Sequence, residues 1–366
     1  MNTKKRCFYI CLAAVNCAAL IAFAVLAAVF GSVTGELSSQ KAAERWNADG
    51  SSRSAQVSVF YAKTAAIGID DVYTMRVNIE KKLTENSVTP TNENARIWFD
   101  AYSALDSINV SSSREDYTIR VDTELIATGG DYFMFHPLKL RSGYYYSDDD
   151  LMKDRVVLDE NLAWQLFGSY NVDGMTVLIN GKRFYVAGVA EADSDKASEY
   201  VYGTKPHMYM SYDGYKQLLS DGAAGITTYE ACIPNPVSGL AERIIEEVAA
   251  GSDDTMKIVE NSDRYSFKKL YSIAFDGGKR AVIDSAVQYP FWENAARITE
   301  DKAAGILAAA TFVLGVPLFT VVYFLWLLYH NRRLIASKAV DGIRRIFYNI
   351  KRDKKSAPDA KGAKQN

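Results

Sequence analysis

The stretch RVVLDENLAWQLFGSYNVDGMTVLINGKRFYVAGV, residues 155–189, decides the fold class. It opens on a short apolar run, Arg155 to Leu158, and continues through Asp159 to Phe167, which reads as a helix with Asp159 as its cap. Two apolar segments, Val177 to Asn180 and Arg183 to Val189, flank Asn180-Gly181-Lys182. Asn and Gly both tolerate positive φ, so the pair suits a tight hairpin turn. Strand, helix and hairpin in close succession point to an α+β domain.

The same mixture extends outward. Upstream, the polar stretch Glu36 to Ala55 reads as a helical extension and then a linker through Asp49-Gly50-Ser51-Ser52. Gln56 to Tyr61 alternates and suits a strand. Ile69 to Leu83 places Val72, Met75, Val77, Ile79 and Leu83 among charges and predicts an amphipathic helix. Asn86 to Asn94 is a loop. Ala95 to Ile108 is expected to be helical, and Tyr117 to Ile126 to be a strand. Downstream, Thr227 to Ile233 reads as a strand, Pro234-Asn235-Pro236 breaks it, and Ser238 is expected to cap a helix from Gly239 to Ala250. There is no internal repeat.

Two uncharged runs bracket this region, Phe8 to Val33 and Ala303 to Tyr329. A helix of roughly 20 apolar residues spans a bilayer core, so each is long enough. The first, at 26 residues, is long for the apolar part of a cleaved signal peptide and fits an anchor better. Residues 1–7 hold three Lys/Arg and no acid, and residues 330–366 hold eleven Lys/Arg and three Asp/Glu. Taking these from the totals of 42 and 44 leaves 28 basic and 41 acidic residues in between. Positive flanks stay in the cytoplasm. The expected layout is therefore a cytoplasmic N-terminus (1–7), a first span (8–33), an extracytoplasmic domain (34–302), a second span (303–329) and a cytoplasmic tail (330–366). Cys7, Cys11 and Cys17 lie at or in the first span. Cys232 is alone in the outer domain and reads as a buried small hydrophobe.

Between Ala127 and Val189 the chain resembles the periplasmic core domain of MacB-type ABC transporter permeases, in the wider FtsX-like group. The resemblance rests on an ordered series. Gly129-Gly130-Asp131-Tyr132-Phe133 comes first, then Leu140-Arg141-Ser142-Gly143 with Ser147-Asp148-Asp149-Asp150, where Tyr144 replaces the usual arginine. Arg155 to Glu160, Leu162-Ala163 and Leu166-Phe167-Gly168 follow. Val172-Asp173-Gly174, Val177 to Gly181 and Phe184 to Val189 complete it. The residues that carry the likeness most closely are Gly130, Tyr132, Phe133, Gly143, Leu158, Ala163, Phe167, Gly168, Gly174, Gly181, Val186, Gly188 and Val189. The resemblance implies a domain of two lobes, one inserted, placed at about residues 135–220. Full permeases of the group have four spans, so this chain looks like one truncated after the second.

Glu293 to Lys302 reads as a helix running into the second span. Past it, Ile335, Ala339, Ile343, Ile346 and Ile350 share one face of a basic amphipathic helix, Leu334 to Ile350. Such a helix suits an anionic lipid surface. The resemblance adds a second use, docking on an ATPase, through Arg333, Ile335, Lys338, Ala339, Val340 and Gly342. Gly305, Ala308, Ala309 and Gly315 give the second span small-residue faces that allow homo- or hetero-oligomeric helix packing.

Catalytic signatures are absent. His136, His207 and His330 are single and far apart in sequence, and no H-E-x-x-H, C-x-x-C, G-x-S-x-G or P-loop occurs. Asp148-Asp149-Asp150 reads as a solvated acidic loop rather than a cation site. No cofactor or metal is implied, and an acidic outer domain argues against nucleic acid. The expected function is a non-catalytic accessory subunit of a MacB/FtsX-like ABC assembly, with ATPase and full permease on other chains. The alternative is a stand-alone membrane-anchored receptor or scaffold.

Overall fold

The computed structural model describes residues 3–47, 53–90, 95–112, 119–192, 195–203, 205–219, 225–252, 254–275, 287–333 and 343. Two units separate, residues 29–307 and the pair 1–28 with 308–366.

The larger unit is a mixed α/β domain. In chain order it holds the end of α1 (Thr3–Gly35), α2 (Ala42–Trp46), β1 (Ser54–Tyr61), α3 (Ile69–Glu85), β2 (Phe99–Ser112) and β3 (Arg120–Gly130). Then come α4 (Tyr132–Phe135), β4 (Leu140–Gly143), β5 (Arg155–Asp159), α5 (Glu160–Phe167), β6 (Thr176–Ile179) and β7 (Lys182–Ala190). The rest is α6 (Lys196–Val201), β8 (His207–Ser211), α7 (Tyr212–Lys216), β9 (Thr228–Pro234), α8 (Leu240–Val248), β10 (Met256–Glu260), α9 (Phe267–Phe275) and the start of α10 (Phe291–His330).

One sheet runs β10-β1-β9-β2-β3-β8-β5-β7-β4, with β6 pairing both β2 and β7. Strands before β4 and after β8 build one half, and β4 to β8 build the other. The two pairs β3–β8 and β5–β7 are parallel and the rest antiparallel. One sheet face carries the main core, where Val57, Val59, Leu125, Leu158 and Tyr229 pack with Val72, Met75 and Ile79 of α3, Leu162 of α5 and Ile244 of α8. The other carries a smaller, aromatic core of Phe99, Tyr132, Phe135, Val157, Tyr209 and Trp292.

Local chemistry accounts for several elements. Asp159 Oδ1 accepts from Leu162 N at 2.6 Å and caps α5 as expected. Its Oδ2 accepts from His207 N at 2.7 Å, so one buried carboxylate also pins β8. Asn180 (φ 49°) and Gly181 (φ 78°) turn the β6–β7 hairpin in the left-handed region.

Three expectations are corrected. Ala95 to Ile108 is not helical, because Phe99–Ser112 is the long strand β2, paired with β3 from Ala101↔Gly130 to Ser111↔Arg120. It is buried on both faces over much of its length, which erases the alternation that marks a half-exposed strand. Ser238 does not cap α8. Asn235 Oδ1 accepts from Leu240 N and Ala241 N instead, reaching forward from the Pro-Asn-Pro break. The helical extension expected from Glu36 is interrupted, because α1 stops at Gly35 and a 3₁₀ turn (Ser38–Gln40) and α2 follow; the linker expected at 49–52 lies outside the described residues.

The second unit holds the rest of α1 and α10, two helices long and apolar enough to cross a membrane. Within it Asn16 Nδ2 donates to Leu12 O (2.8 Å) and to Thr320 Oγ1 (3.2 Å), and Tyr9 stacks on Phe324. Pro317 lies inside α10.

Replacing Asp159 with Ala removes the α5 cap and strands the buried His207 N–H. A cap costs about 0.5–2 kcal/mol and an unpaired buried donor about 1–3, so a loss of roughly 2–4 kcal/mol is expected in denaturant unfolding of the solubilised chain. An unchanged midpoint would show that the carboxylate holds neither element.

Candidate functional site

The aromatic face of the sheet is interrupted by polar side chains that no loop would require. On β1 and β9, Ser58 pairs with Glu230 and Gln56 with Cys232 in register, which sets Gln56, Ser58 and Glu230 on this face. All are buried. Glu230 Oε1 accepts from Ser58 Oγ at 2.8 Å and from Gln56 Nε2 at 3.4 Å. Its Oε2 meets His136 Nε2, just past α4. Burial would push the Glu230 carboxyl up, but His136 and the Ser58 and Gln56 donors outweigh it and hold it below its ordinary value. Gln56 also ties in the segment after α1, accepting from Ala42 N at 3.0 Å and donating to Ser39 O at 2.8 Å.

The chain of contacts continues toward α10. Ser58 Oγ accepts from Asn261 Nδ2 at 2.6 Å, and Asn261 Oδ1 accepts from Arg264 Nη2 at 2.9 Å. Arg264 is 1% exposed. Its Nη2 donates to Glu293 Oε2 at 2.6 Å, and its Nη1 lies 3.3 Å from Glu300 Oε1. Glu293 and Glu300 are seven residues apart, two helical turns, so both carboxylates face the same way. Desolvation would lower the Arg264 guanidinium, and the two carboxylates reverse that and hold it above its ordinary value. Arg297 joins from the next turn, donating to Glu293 Oε1 at 3.1 Å and lying over the Tyr289 ring at 3.6 Å. Trp292 closes the circuit, its ring 4.5 Å from that of His136. A continuous buried path of side chains thus links α4, β9, β1 and the turn after β10 to the first turns of α10.

The path joins elements that lie far apart in the chain. Among the described residues no group of three His, Cys, Asp or Glu is arranged to hold a metal. Cys232 is buried, as expected, and its thiol is pushed up to about 12, so it is a poor nucleophile. A polar cavity of about 900 Å³ lies beside the path, lined by Gln40, Asn47, Ser54, Asn235, Asn261 and Tyr265. Asp148 and Asp150 serve backbone donors, Gly130 N at 3.0 Å and Ser147 N at 2.9 Å.

The residues of the ordered series gather on the β4–β7 side. Gly130 ends β3, and Tyr132 and Phe133 form α4 with their rings in the aromatic core. Leu158, Ala163 and Phe167 pack in the main core, where Val186 and Val189 join from β7. Gly168, Gly174 and Gly181 are turns with positive φ. Gly143 and Gly188 face each other across β4 and β7. A Cβ on Gly143 would lie 2.1 Å from Ala187 O, and one on Gly188 2.9 Å from Ser142 O, so the strands meet this closely only through glycine. Arg333 and Ile343 are exposed, whereas Ile335, Lys338, Ala339, Gly342 and Ile346 lie outside the described residues.

Residues 18–241 match the MacB-like periplasmic core domain, more than half of the chain. The chain belongs to that family. The MacB-like periplasmic core domain is a transporter permease module and not a catalytic family. Similar solved structures include the periplasmic region of MacB from Actinobacillus actinomycetemcomitans, at 18% identity, covering 57% of this chain and 89% of that one, with a TM-score of 0.38. Another is the extracellular domain of the noncanonic ABC-type transporter YknZ from Gram-positive bacteria, at 13% identity, covering 56% and 99%, with a TM-score of 0.35. None of the curated proteins compared matches the chain. In this MacB-like domain the buried path through Glu230 and Arg264 was invisible in sequence, since its members are spread from Gln56 to Glu300 and follow no spacing rule.

Arg264→Met removes the buried cation that Glu293 and Glu300 share and leaves Arg297 as the cation on Glu293. Breaking a buried ion pair costs about 3–5 kcal/mol, so a loss of that size is expected in denaturant unfolding. Lys139→Ala, which breaks the exposed pair with Glu191, should shift the midpoint little. Equal effects from the two variants would remove Arg264 as the organising charge.

Proposed function

We propose that this chain is a non-catalytic accessory subunit of a MacB/FtsX-like ABC transport or mechanotransmission complex, in which the ATPase and a full permease are separate chains. The observation that carries the reading is the clamp of Arg264 on Glu293 and Glu300, in the same compact unit as most of the MacB-like match at residues 18–241. Residues 293–300 precede the second apolar run in the same helix, α10. An ordered outer domain gripping that helix is suited to sensing at the outer face and passing the result along the chain of α10.

The proposed placement puts both termini in the cytoplasm, on the strength of the basic residues that flank the two runs. The spans are residues 8–33 and 303–329, and the outer domain is 34–302. We assign residues 135–220 to an inserted lobe. The contiguous β4 to β8 half of the sheet, set against a half built from earlier and later strands, supports that assignment. The cytoplasmic segment from Arg333 through Ile335, Lys338, Ala339, Gly342, Ile343 and Ile346 is the proposed contact with an ATPase or with anionic lipid. The spans themselves offer the surface for homo- or hetero-oligomers.

Affinity capture of the tagged chain from membranes in mild detergent, followed by mass spectrometry, tests the reading. Recovery of an ABC ATPase and an FtsX-like permease is expected, and both should be lost when residues 334–350 are deleted. Capture of the folded chain alone at native expression would instead leave a stand-alone surface module.

A further inference from the structure

His207 opens β8 and has no exposed surface. Among the described residues, the ionisable groups that face it come from several elements. From β3, Glu124 places Oε2 3.3 Å from Nε2. From the cap of α5, Asp159 places Oδ2 3.8 Å from Nδ1. From the end of α6, the Tyr202 ring lies with its centre 3.9 Å from that of the imidazole, and its hydroxyl donates to Asp159 Oδ2 at 3.4 Å. Lys205 is drawn to Asp122 on β3 at 2.7 Å, and with Lys63 it acts on Glu124. From α10 comes an uncharged group, Phe291, whose ring centre is 5.0 Å from His207 and 5.0 Å from Tyr202.

This surround selects a protonation state. An ionised carboxylate only accepts hydrogen bonds, while a neutral imidazole carries a hydrogen on one ring nitrogen and a lone pair on the other. With a carboxylate toward each nitrogen, a neutral ring must turn a lone pair on an anion. Only the imidazolium presents N–H to both. The two rings packed on it favour the cation as well. Neither carboxylate makes a hydrogen bond of normal geometry to the ring, so the attraction is that of charges a short way apart.

We propose that His207 is a proton-binding site of the outer domain, and that its occupancy sets how firmly the first turn of α10 is seated. Phe291 is the first residue of that helix. With the proton bound, Phe291 packs against a cation held by two carboxylates and a tyrosine. With the proton lost, the ring is neutral, Glu124 and Asp159 lose the cation between them, and Phe291 loses its charged partner. Trp292 keeps its own seat on His136, so the helix loosens at one of two adjacent contacts. The inference concerns the outer domain alone and does not depend on transporter partners.

The direction in pH follows. Burial alone would lower the His207 pKa, but Asp159 and Glu124 outweigh it and the folded state holds it above its ordinary value. A group raised in this way stabilises the fold fully below its unfolded pKa, and that contribution disappears as pH rises through the folded value. The seat is therefore firm in acid and loosens in alkali.

The test uses the full chain in detergent micelles, with imidazole carbons labelled so that the three histidines titrate separately by NMR. His207 is expected to titrate above about 6.5. Amide protection across residues 288–296, corrected for intrinsic exchange, is expected to fall on the order of tenfold between about pH 6 and about pH 9. Glu124→Gln removes one carboxylate from a side chain that is 40% exposed, so the fold tolerates it, and the transition should move to lower pH. His207→Gln should abolish the pH dependence. The proposal is overturned if His207 titrates at or below the ordinary value, or if protection of 288–296 is the same at both pH values. It is equally overturned if Glu124→Gln leaves the transition unmoved.

Discussion

The buried guanidinium of Arg264 is the constraint around which the outer domain is organised. It needs two anions at fixed separation, and Glu293 and Glu300 supply them from one face of α10. The apolar residues on the buried side of these turns are mainly alanines, Ala295, Ala296, Ala303 and Ala304. Alanine methyls bury little surface, so apolar contact alone would hold the helix weakly and tolerate a slip of one turn. A slip that takes either glutamate from Arg264 separates a buried carboxylate from the buried cation it faces. The penalty for that is several kcal/mol, and it fixes the register that alanine packing leaves loose.

A buried charge cannot stop at its first partner. Arg264 is oriented by Asn261, whose amide also donates to Ser58, whose hydroxyl serves Glu230, which needs His136. Each link is the solution to the unsatisfied group before it, since a buried polar atom without a partner is costly. The outcome is a sheet with unlike faces. On the α3 and α8 side, apolar side chains meet and any well-shaped hydrophobe would serve. On the α10 side, the strands carry glutamine, serine and glutamate in the interior, and replacement of one leaves the next exposed to the same problem.

The amino-acid sequence revealed what is local. Asp159 as a cap and Asn180-Gly181 as a turn were legible because the determinant and its effect sit within a few residues. The two apolar runs were legible by length and charge. Phe99–Ser112 was misread because Ile97, Ala101, Ala104 and Ile108 fall near helical spacing, while a strand buried on both faces shows no period of two. Ser238 looked like the cap of α8, but the chain bends at Pro234-Asn235-Pro236 so that Asn235 reaches the amides first. His136 and His207 looked solitary because their carboxylates lie far along the chain, Glu230 for one and Glu124 and Asp159 for the other. Only the sheet order brings β8 against β3 and β5.

That order also explains why both histidines reach α10. Tyr209 and Glu230 lie on the sheet face that packs against the start of this helix, and His207 shares the strand of Tyr209 at an odd-numbered position. Residues two apart on a strand point to the same side, so His207 meets Phe291 for the reason that Tyr209 meets the aromatic core. His136 meets Trp292 because α4 lies across Phe99 on β2, the strand beside β9. Neighbouring residues of α10 are therefore read by opposite halves of the sheet. Phe291 is held from the β8 half and Trp292 from the β9 half. A rearrangement of either half must act on the first turn of the helix that also carries Glu293 and Glu300. With charged residues ending at Lys302 and the apolar run starting at Ala303, the ion pairs of Glu293 and Glu300 lie in the segment that the two halves of the sheet hold.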